Sequence, residues 1–300
     1  MFFKIINRRY IRTRVVQFVY SNSILADDSD KNIQEFSNSI HNSLDLLYCS
    51  IDLIKEIRSH FLSIQTKKNS FKVIVDNSYF IFYSSIDIPK EKRSLIIDWG
   101  LNYNYIDDIK KRFVENNISV KNKSDKKDLN FFVSFFSDII CKSEILYDFI
   151  QDQNITWTDD IPIINSYIIH ISKKIDVRSP SSFKIPYIDD YENEIIFGQK
   201  LISHVFDNRD KLKSYLDGRI PNWDIKRIAK IDLALIISAI AELIYFSDIP
   251  VKSSINEYIE LSKEYSSPKS SVFINGVLDK ISKDLTKDGT ISKSGRGLIT

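Results

Sequence analysis

The chain has 300 residues, a net charge of +2, two cysteines, seven glycines and seven prolines. That length supports one large domain or two ordinary ones, and so few turn-forming residues argue against an all-β fold and for a helical one. Cys49 and Cys141 have neither metal spacing nor a disulfide framework, no apolar run approaches the roughly 18 residues of a membrane span, and the first residues lack a signal peptide's features, all of which fits a cytoplasmic chain.

Charge is uneven along the sequence. Residues 1–26 hold Lys4, Arg8, Arg9, Arg12 and Arg14 and no acid, a local +5 that leaves −3 for the remainder. A patch of this kind speaks to partners rather than to fold. From Asn7 to about Ile24 the spacing of Ile11, Val15, Phe18 and Val19 predicts a helix. Arg8, Arg9 and Arg12 then share about 100° of arc over its first turns. Asp27–Asp30 is a break. Residues 31–63 read as a long helix through Leu46, Leu47, Ile51, Ile54, Ile57 and Phe61.

Phe71 to Trp99 is aromatic-rich and less regular. Tyr105–Val114 and Leu129–Ile150 are helical patterns flanking KNKSDKKD at 121–128, which is expected to be an exposed loop. Asp159–Ile175 is a further helix. VRSPSSFKIPY at 177–187 has linker composition and is the best internal boundary. Four strong patterns follow. One covers Tyr191–Leu216, with Phe197, Leu201 and Val205. The next covers Asn222–Phe246, with Asn222 as N-cap. A third begins at Pro250, expected at the first helical position. The fourth follows Ser267-Pro268, with Ser267 as cap. The last 15 residues, rich in Lys, Ser and Gly, are expected to form a loose tail.

The fourth pattern contains Asn275-Gly276, a pair typical of tight hairpins. Ile274, Val277, Leu278, Ile281 and Leu285 nonetheless keep helical spacing, so the helix prevails. Gly276 then costs about 1 kcal/mol relative to Ala. That cost is tolerable where another helix crosses close by. Asn275 lies off the apolar stripe.

Enzymatic signatures are missing. The sequence has no G-x-G-x-x-G and no G-K-[ST]. His41, His60, His170 and His204 are scattered, and the Asp-Asp pairs at 107, 159 and 189 precede helical patterns, where acids support helix starts. No catalytic residue, metal site or cofactor is expected.

The stretch VFINGVLDKI resembles the closing signature of the NusB family of transcription antitermination factors. IPVKSSINEYIELSKEYSSPKSS is similar to the family's two linked helices, and NWDIKRIAKIDLALIISAIAEL to the one before them. FGQKLISHVF looks like the first helix of that half, and RRYIRTRVVQFVY like the arginine-rich opening helix. The positions carrying the signature are Trp223, Glu242, Asn256, Glu257, Asn275 and Gly276. The resemblance implies an all-α, NusB-like helical bundle with a mostly helical insertion. Residues 1–24 would be the arginine-rich first helix, 25–190 an enlarged middle as in long variants, 191–285 the C-terminal helical domain and 286–300 a flexible tail.

It also implies an RNA-binding protein without catalysis. Such a protein binds boxA-type nascent RNA with the ribosomal protein NusE. The pair joins RNA polymerase and other Nus factors in an elongation complex on ribosomal RNA operons. Carried over residue by residue, Arg8, Arg9 and Arg12 would meet phosphates, with Arg14 at the rim. Gln17 would read a base edge and Tyr20 would stack, unless Tyr20 is a core-edge aromatic. Lys269 and Phe273 match positions near the RNA, although position 269 is often acidic in relatives and Phe273 fits equally as core. Asp232, with Lys226, matches a NusE contact; the alternative is a buried salt bridge to Lys226 or Arg227. The rivals are a protein-interaction scaffold for NusE or RNA polymerase without specific RNA binding, a basic amphipathic N-terminus at a membrane surface, and an RNA cytosine methyltransferase, which would need a large downstream domain.

Overall fold

The computed structural model describes residues 4–25, 29–64, 71–116, 125–179, 183–219 and 227–294. They contain thirteen α-helices and no strand. No helix among the described residues is long and apolar enough to cross a membrane. The chain divides into two compact units, Met1–Ile5 with Ser39–Asp190, and Ile6–Asn38 with Tyr191–Thr300.

The first unit takes in α2 (Ser29–Ile64) from Ser39 onward, α3 (Lys72–Val75), α4 (Ser78–Ser85), α5 (Tyr103–Glu115), α6 (Asp125–Phe135), α7 (Glu144–Gln153) and α8 (Trp157–Ser172). As the spacing predicts, α2 buries Leu46, Leu47, Ile51, Ile54, Ile57 and Phe61. Much of the remaining core is aromatic. Phe61 meets Phe71 edge-on at 4.9 Å, and Tyr83 stacks on Phe132 at 5.2 Å. Such pairs add about 0.5–1.5 kcal/mol each beyond area burial.

Two sequence expectations change here. The pattern Leu129–Ile150 is not one helix. A wider helical turn, Phe136–Ile140, follows α6, and α7 starts afresh at Ser143. The Ser143 hydroxyl accepts from the Leu146 N–H at 3.3 Å and donates to Asp108 at 2.8 Å. Periodicity hides the break because Phe136, Ile139 and Ile140 stay buried through it. The expected exposed loop at 121–128 is also not a loop where it is described. Residues 121–124 lie outside the described residues, but Asp125–Asp128 are helical. Asp128 accepts from the Ser78 N–H at 3.0 Å and its carbonyl accepts from Asn77 at 3.0 Å, which ties α6 to the start of α4.

A buried carboxylate holds the extended segment after α4. Asp45, 1% exposed, accepts from the backbone N–H groups of Ser94 and Leu95 at 3.1–3.2 Å. Burial pushes its carboxyl up from 3.8 to about 6, against those two donors and Arg93.

The second unit combines α1 (Arg8–Leu25), the start of α2, α9 (Glu192–Asp207), α10 (Arg209–Ser214), α11 (Lys230–Tyr245), α12 (Val251–Tyr265) and α13 (Pro268–Lys287). α11 is the central helix. Every residue from Ala234 to Leu243 is buried, as expected for a helix apolar on nearly all sides. α1 packs on α9 and α11, and α12 packs on α11 and α13. The stripe Ile274, Val277, Leu278, Ile281 and Leu285 faces the core.

Helix boundaries move in several places. The predicted helix Tyr191–Leu216 breaks at Asn208, whose amide donates to the His204 carbonyl at 3.0 Å. α11 begins at Lys230, after an extended Ala229 with ψ 137; Asn222, the expected cap, lies outside the described residues. Pro250, with ψ 140, is the cap of α12 and not its first helical residue. Ser267 does precede Pro268 at the start of α13, but its hydroxyl meets that of Ser270 at 2.9 Å. Residues 286–294 are not the loose tail that their composition suggests, and 295–300 lie outside the described residues. α13 runs to Lys287, Ile291 is 4% exposed, and the Lys293 ammonium donates to the Phe246 carbonyl at 2.8 Å.

The close-approach glycine is Gly198, not Gly276. A Cβ on Gly198 would sit 2.2 Å from Phe36 Cζ and 2.7 Å from Ile11 Cγ2, so α9 needs its bare backbone against α1 and α2. A Cβ on Gly276 would meet nothing within 4 Å, and Asn275 and Gly276 are both exposed. Opposite outcomes follow for the same substitution. Gly276→Ala should stabilise by about 1 kcal/mol through helix propensity. Gly198→Ala should destabilise by about 1–3 kcal/mol through overpacking. Urea unfolding of the two variants measures both signs.

Asp45 sets a pH dependence. Its folded-state pKa lies above the unfolded value, so its contribution is full below pH 3.8 and is lost as pH rises through about 6. Asp45→Asn should remove that component. The stability difference between variant and parent should therefore shift in the variant's favour between acid and neutral pH; a constant difference would show an unperturbed carboxyl.

Candidate nucleic-acid interface

The arginine-rich turn of α1 faces α9, α11 and α12, and its three cations end in different environments. Arg12 is 5% exposed. Its Nε donates to Glu242 Oε2 at 2.7 Å and its Nη2 to Glu242 Oε1 at 2.8 Å. Glu242, fully buried on α11, also accepts from Ser254 Oγ at 2.7 Å and the Tyr258 hydroxyl at 3.2 Å, both on α12. A carboxylate has about four lone-pair sites, and here all four are used. Burial alone would lower the pKa of Arg12, but the bonds and charge of Glu242 outweigh it and the net shift is upward. Burial, reinforced by Glu242, raises Tyr258 well above its ordinary value, so the phenol stays a donor.

Arg9 sits at the edge. Its Nε and Nη2 bond the two oxygens of Glu257 at 2.9 and 3.2 Å, with both side chains partly exposed. Glu260 and Glu264, also on α12, add acid near it. Arg8 is different. It is exposed, and its guanidinium lies 4.1 Å from the centroid of the Phe197 ring on α9. A cation held on an aromatic face keeps its donors for a phosphate. Phe197, which the sequence marks only as core, is therefore the support for the most available arginine.

The other expected positions divide similarly. Arg14 is buried, donates to the Tyr10 hydroxyl at 2.9 Å, and donates to Gln17 Oε1 at 3.1 Å. Gln17 is thus engaged within its own helix. Tyr20 is 37% exposed, twelve residues and so about 18 Å along α1 from Arg8. Lys269 is exposed at the first turn of α13, and Phe273 is half-buried one turn later.

Asp232 is 6% exposed and accepts from Ser266 at 2.5 Å and Ser270 at 2.9 Å. It pins the α12–α13 turn to the start of α11. Neither reading of its sequence position anticipates this, because the partners are serines. Lys226 and Trp223 lie outside the described residues. Of the signature positions, Glu242 and Glu257 meet the arginines, while Asn256, Asn275 and Gly276 are exposed elsewhere on the unit.

Comparison with known proteins agrees with this unit. The family model described as NusB family matches residues 187–283. A transcription antitermination protein NusB of Chloroherpeton thalassium is 43% identical over 100 residues, covering 33% of this chain and 47% of that protein. Proteins of the same name from Salinibacter ruber and Natranaerobius thermophilus are 40% and 38% identical, over 103 and 95 residues. These alignments cover 34% and 32% of this chain, and 64% and 68% of the two relatives.

Because the Glu242 site is fully bonded, removing one partner should be costly. Arg12→Met leaves a buried carboxylate unpaired and should destabilise by about 3–5 kcal/mol. Arg12→Met/Glu242→Gln should recover a large part of that loss. Arg9→Ala should cost at most about 1 kcal/mol, as for an exposed pair. Urea unfolding of the single and double variants gives the coupling.

Proposed function

The chain belongs to the NusB family, and we infer from that membership that it is a transcription antitermination factor that binds boxA-type nascent RNA together with the ribosomal protein NusE. The observation that carries this reading is Arg8, exposed and braced on Phe197 at the mouth of the arginine-rich turn. Arg8 supplies the main phosphate contact and Arg9 a weaker one, since Glu257 competes for it. Tyr20 offers a face for base stacking, and Lys269 with Phe273 extends the surface along α13. Arg12 contributes by holding α1 in place. Asp232, with both oxygens bonded to serines, shapes the end of α11 that we assign to NusE and does not meet it directly. The complex would join RNA polymerase and other Nus factors in the cytoplasm, on ribosomal RNA operons, without catalysis, metal or cofactor.

A second reading has its own support. Arg12 and Arg14 are buried and Arg9 is paired, so only part of the N-terminal charge faces outward. This favours a scaffold that engages NusE or RNA polymerase without sequence-specific RNA binding.

One experiment separates the two. Binding of a boxA-containing RNA and a scrambled RNA is measured with and without NusE, across a salt series. Antitermination predicts preference for boxA and tighter binding with NusE. Arg8→Ala should shrink the slope of log affinity against log salt by about one. Equal affinity for both RNAs would favour the scaffold.

A further inference from the structure

A different face of the same unit carries an unassigned site. Between α12 and α13 runs a groove of about 740 Å³, floored by Val251 and Ile255 and walled by Asn256 and Lys252 on one side and Asn275 and Asp279 on the other. It lies away from the surface assigned to RNA. By helical geometry, Asn275 and Asp279 sit about 120–160° around α13 from Phe273 and about 80–120° from Lys269, and Lys252 about 140° around α12 from Glu257.

We propose that this groove docks an extended, acidic peptide segment of a partner protein. The two asparagines are the first reason. Asn256 and Asn275 are exposed, one on each helix, and neither side chain has a hydrogen-bond partner among the described residues. A pair of facing carboxamides offers donors and acceptors together, which suits a peptide main chain. The second reason is charge. Lys283 is paired with Asp279 at 2.7 Å, which leaves Lys252 and Lys287 uncompensated at the rim. Acidic side chains would complement them.

The third reason is the shape of the neighbouring strip of α13. Val272 is 75% exposed, and Gly276 follows one turn later with open space above its backbone. A partner chain can therefore reach the helix backbone there, beside an unburied apolar side chain. Single-stranded RNA fits less well. The groove is lined by no aromatic ring and no arginine, the groups that stack on bases.

The site is tested by panning a display library of random dodecapeptides against the full chain. The selected peptides are then titrated against the chain, against Lys252→Glu/Lys287→Glu and against Asn256→Ala/Asn275→Ala. All four side chains are exposed, and circular dichroism melts confirm that both variants stay folded. Selected sequences should be rich in Asp and Glu, and each double variant should weaken them by at least about tenfold. RNA binding at the arginine face should not change. The proposal is overturned by failure to select peptides, by neutral or basic consensus sequences, or by acidic peptides that bind both variants as well as the parent. Binding of poly(U) that is lost in the lysine variant would reassign the groove to nucleic acid.

Discussion

The second unit is organised around the buried ion pair of Arg12 and Glu242. Arg12 and Glu242 lie 230 residues apart and meet in a bidentate geometry with almost no access to water. Taking both charges out of water costs several kcal/mol each, so the pair is tolerable only if every remaining donor and acceptor is satisfied. Ser254 and Tyr258 complete the carboxylate. The arrangement thus demands three helices at once. α1 brings the guanidinium, α11 the carboxylate and α12 the two hydroxyls. Few alternative packings of these helices could satisfy the same four bonds, and this constrains their register more tightly than apolar contact would.

That demand divides the N-terminal charge. Five cations in the first 26 residues look like one basic patch. In the fold, Arg12 and Arg14 are interior groups, Arg9 shares the acids of α12, and Arg8 alone of the arginines is exposed on an aromatic support. The sequence spacing that collects Arg8, Arg9 and Arg12 within one arc is real. It serves packing first, because a helix that offers a cation to a buried carboxylate must point that part of its arc inward.

Helix periods were largely legible. The burial of α2 and the apolar stripe of α13 follow directly from spacing, and Ser267-Pro268 marks the start of α13 as a local signal should. The breaks were less so. Ser143 and Asn208 interrupt helices whose apolar spacing continues across them, and each acts through a side-chain bond that no pattern encodes. Long-range polar partners were least legible. Glu242 and Glu257 stood out only through resemblance, and Asp232 invites a lysine or arginine partner until two serines prove to fill it. The same holds for glycine. Gly276, conspicuous beside Asn275, has open space around it, while the inconspicuous Gly198 is where α9 meets Phe36 and Ile11.

The free charge that remains bears on how the proposed RNA site works. Each phosphate neutralised releases counterions and contributes a salt-dependent increment of affinity, so a surface with few free cations binds nucleic acid weakly by itself. Arg8 and Lys269 are exposed, whereas Arg9 spends Nε and Nη2 on Glu257, so that carboxylate offsets its charge and competes with a phosphate for it. That competition has a physical use. An exposed arginine already held by an acid attracts a bare phosphate less, and it turns fully to a ligand only where that ligand's other contacts make up the difference. In the proposed site, discrimination would then rest on base contacts and on the partner protein, because non-specific attraction to the backbone would be low. A fully exposed arginine cluster would bind more RNA and distinguish less of it.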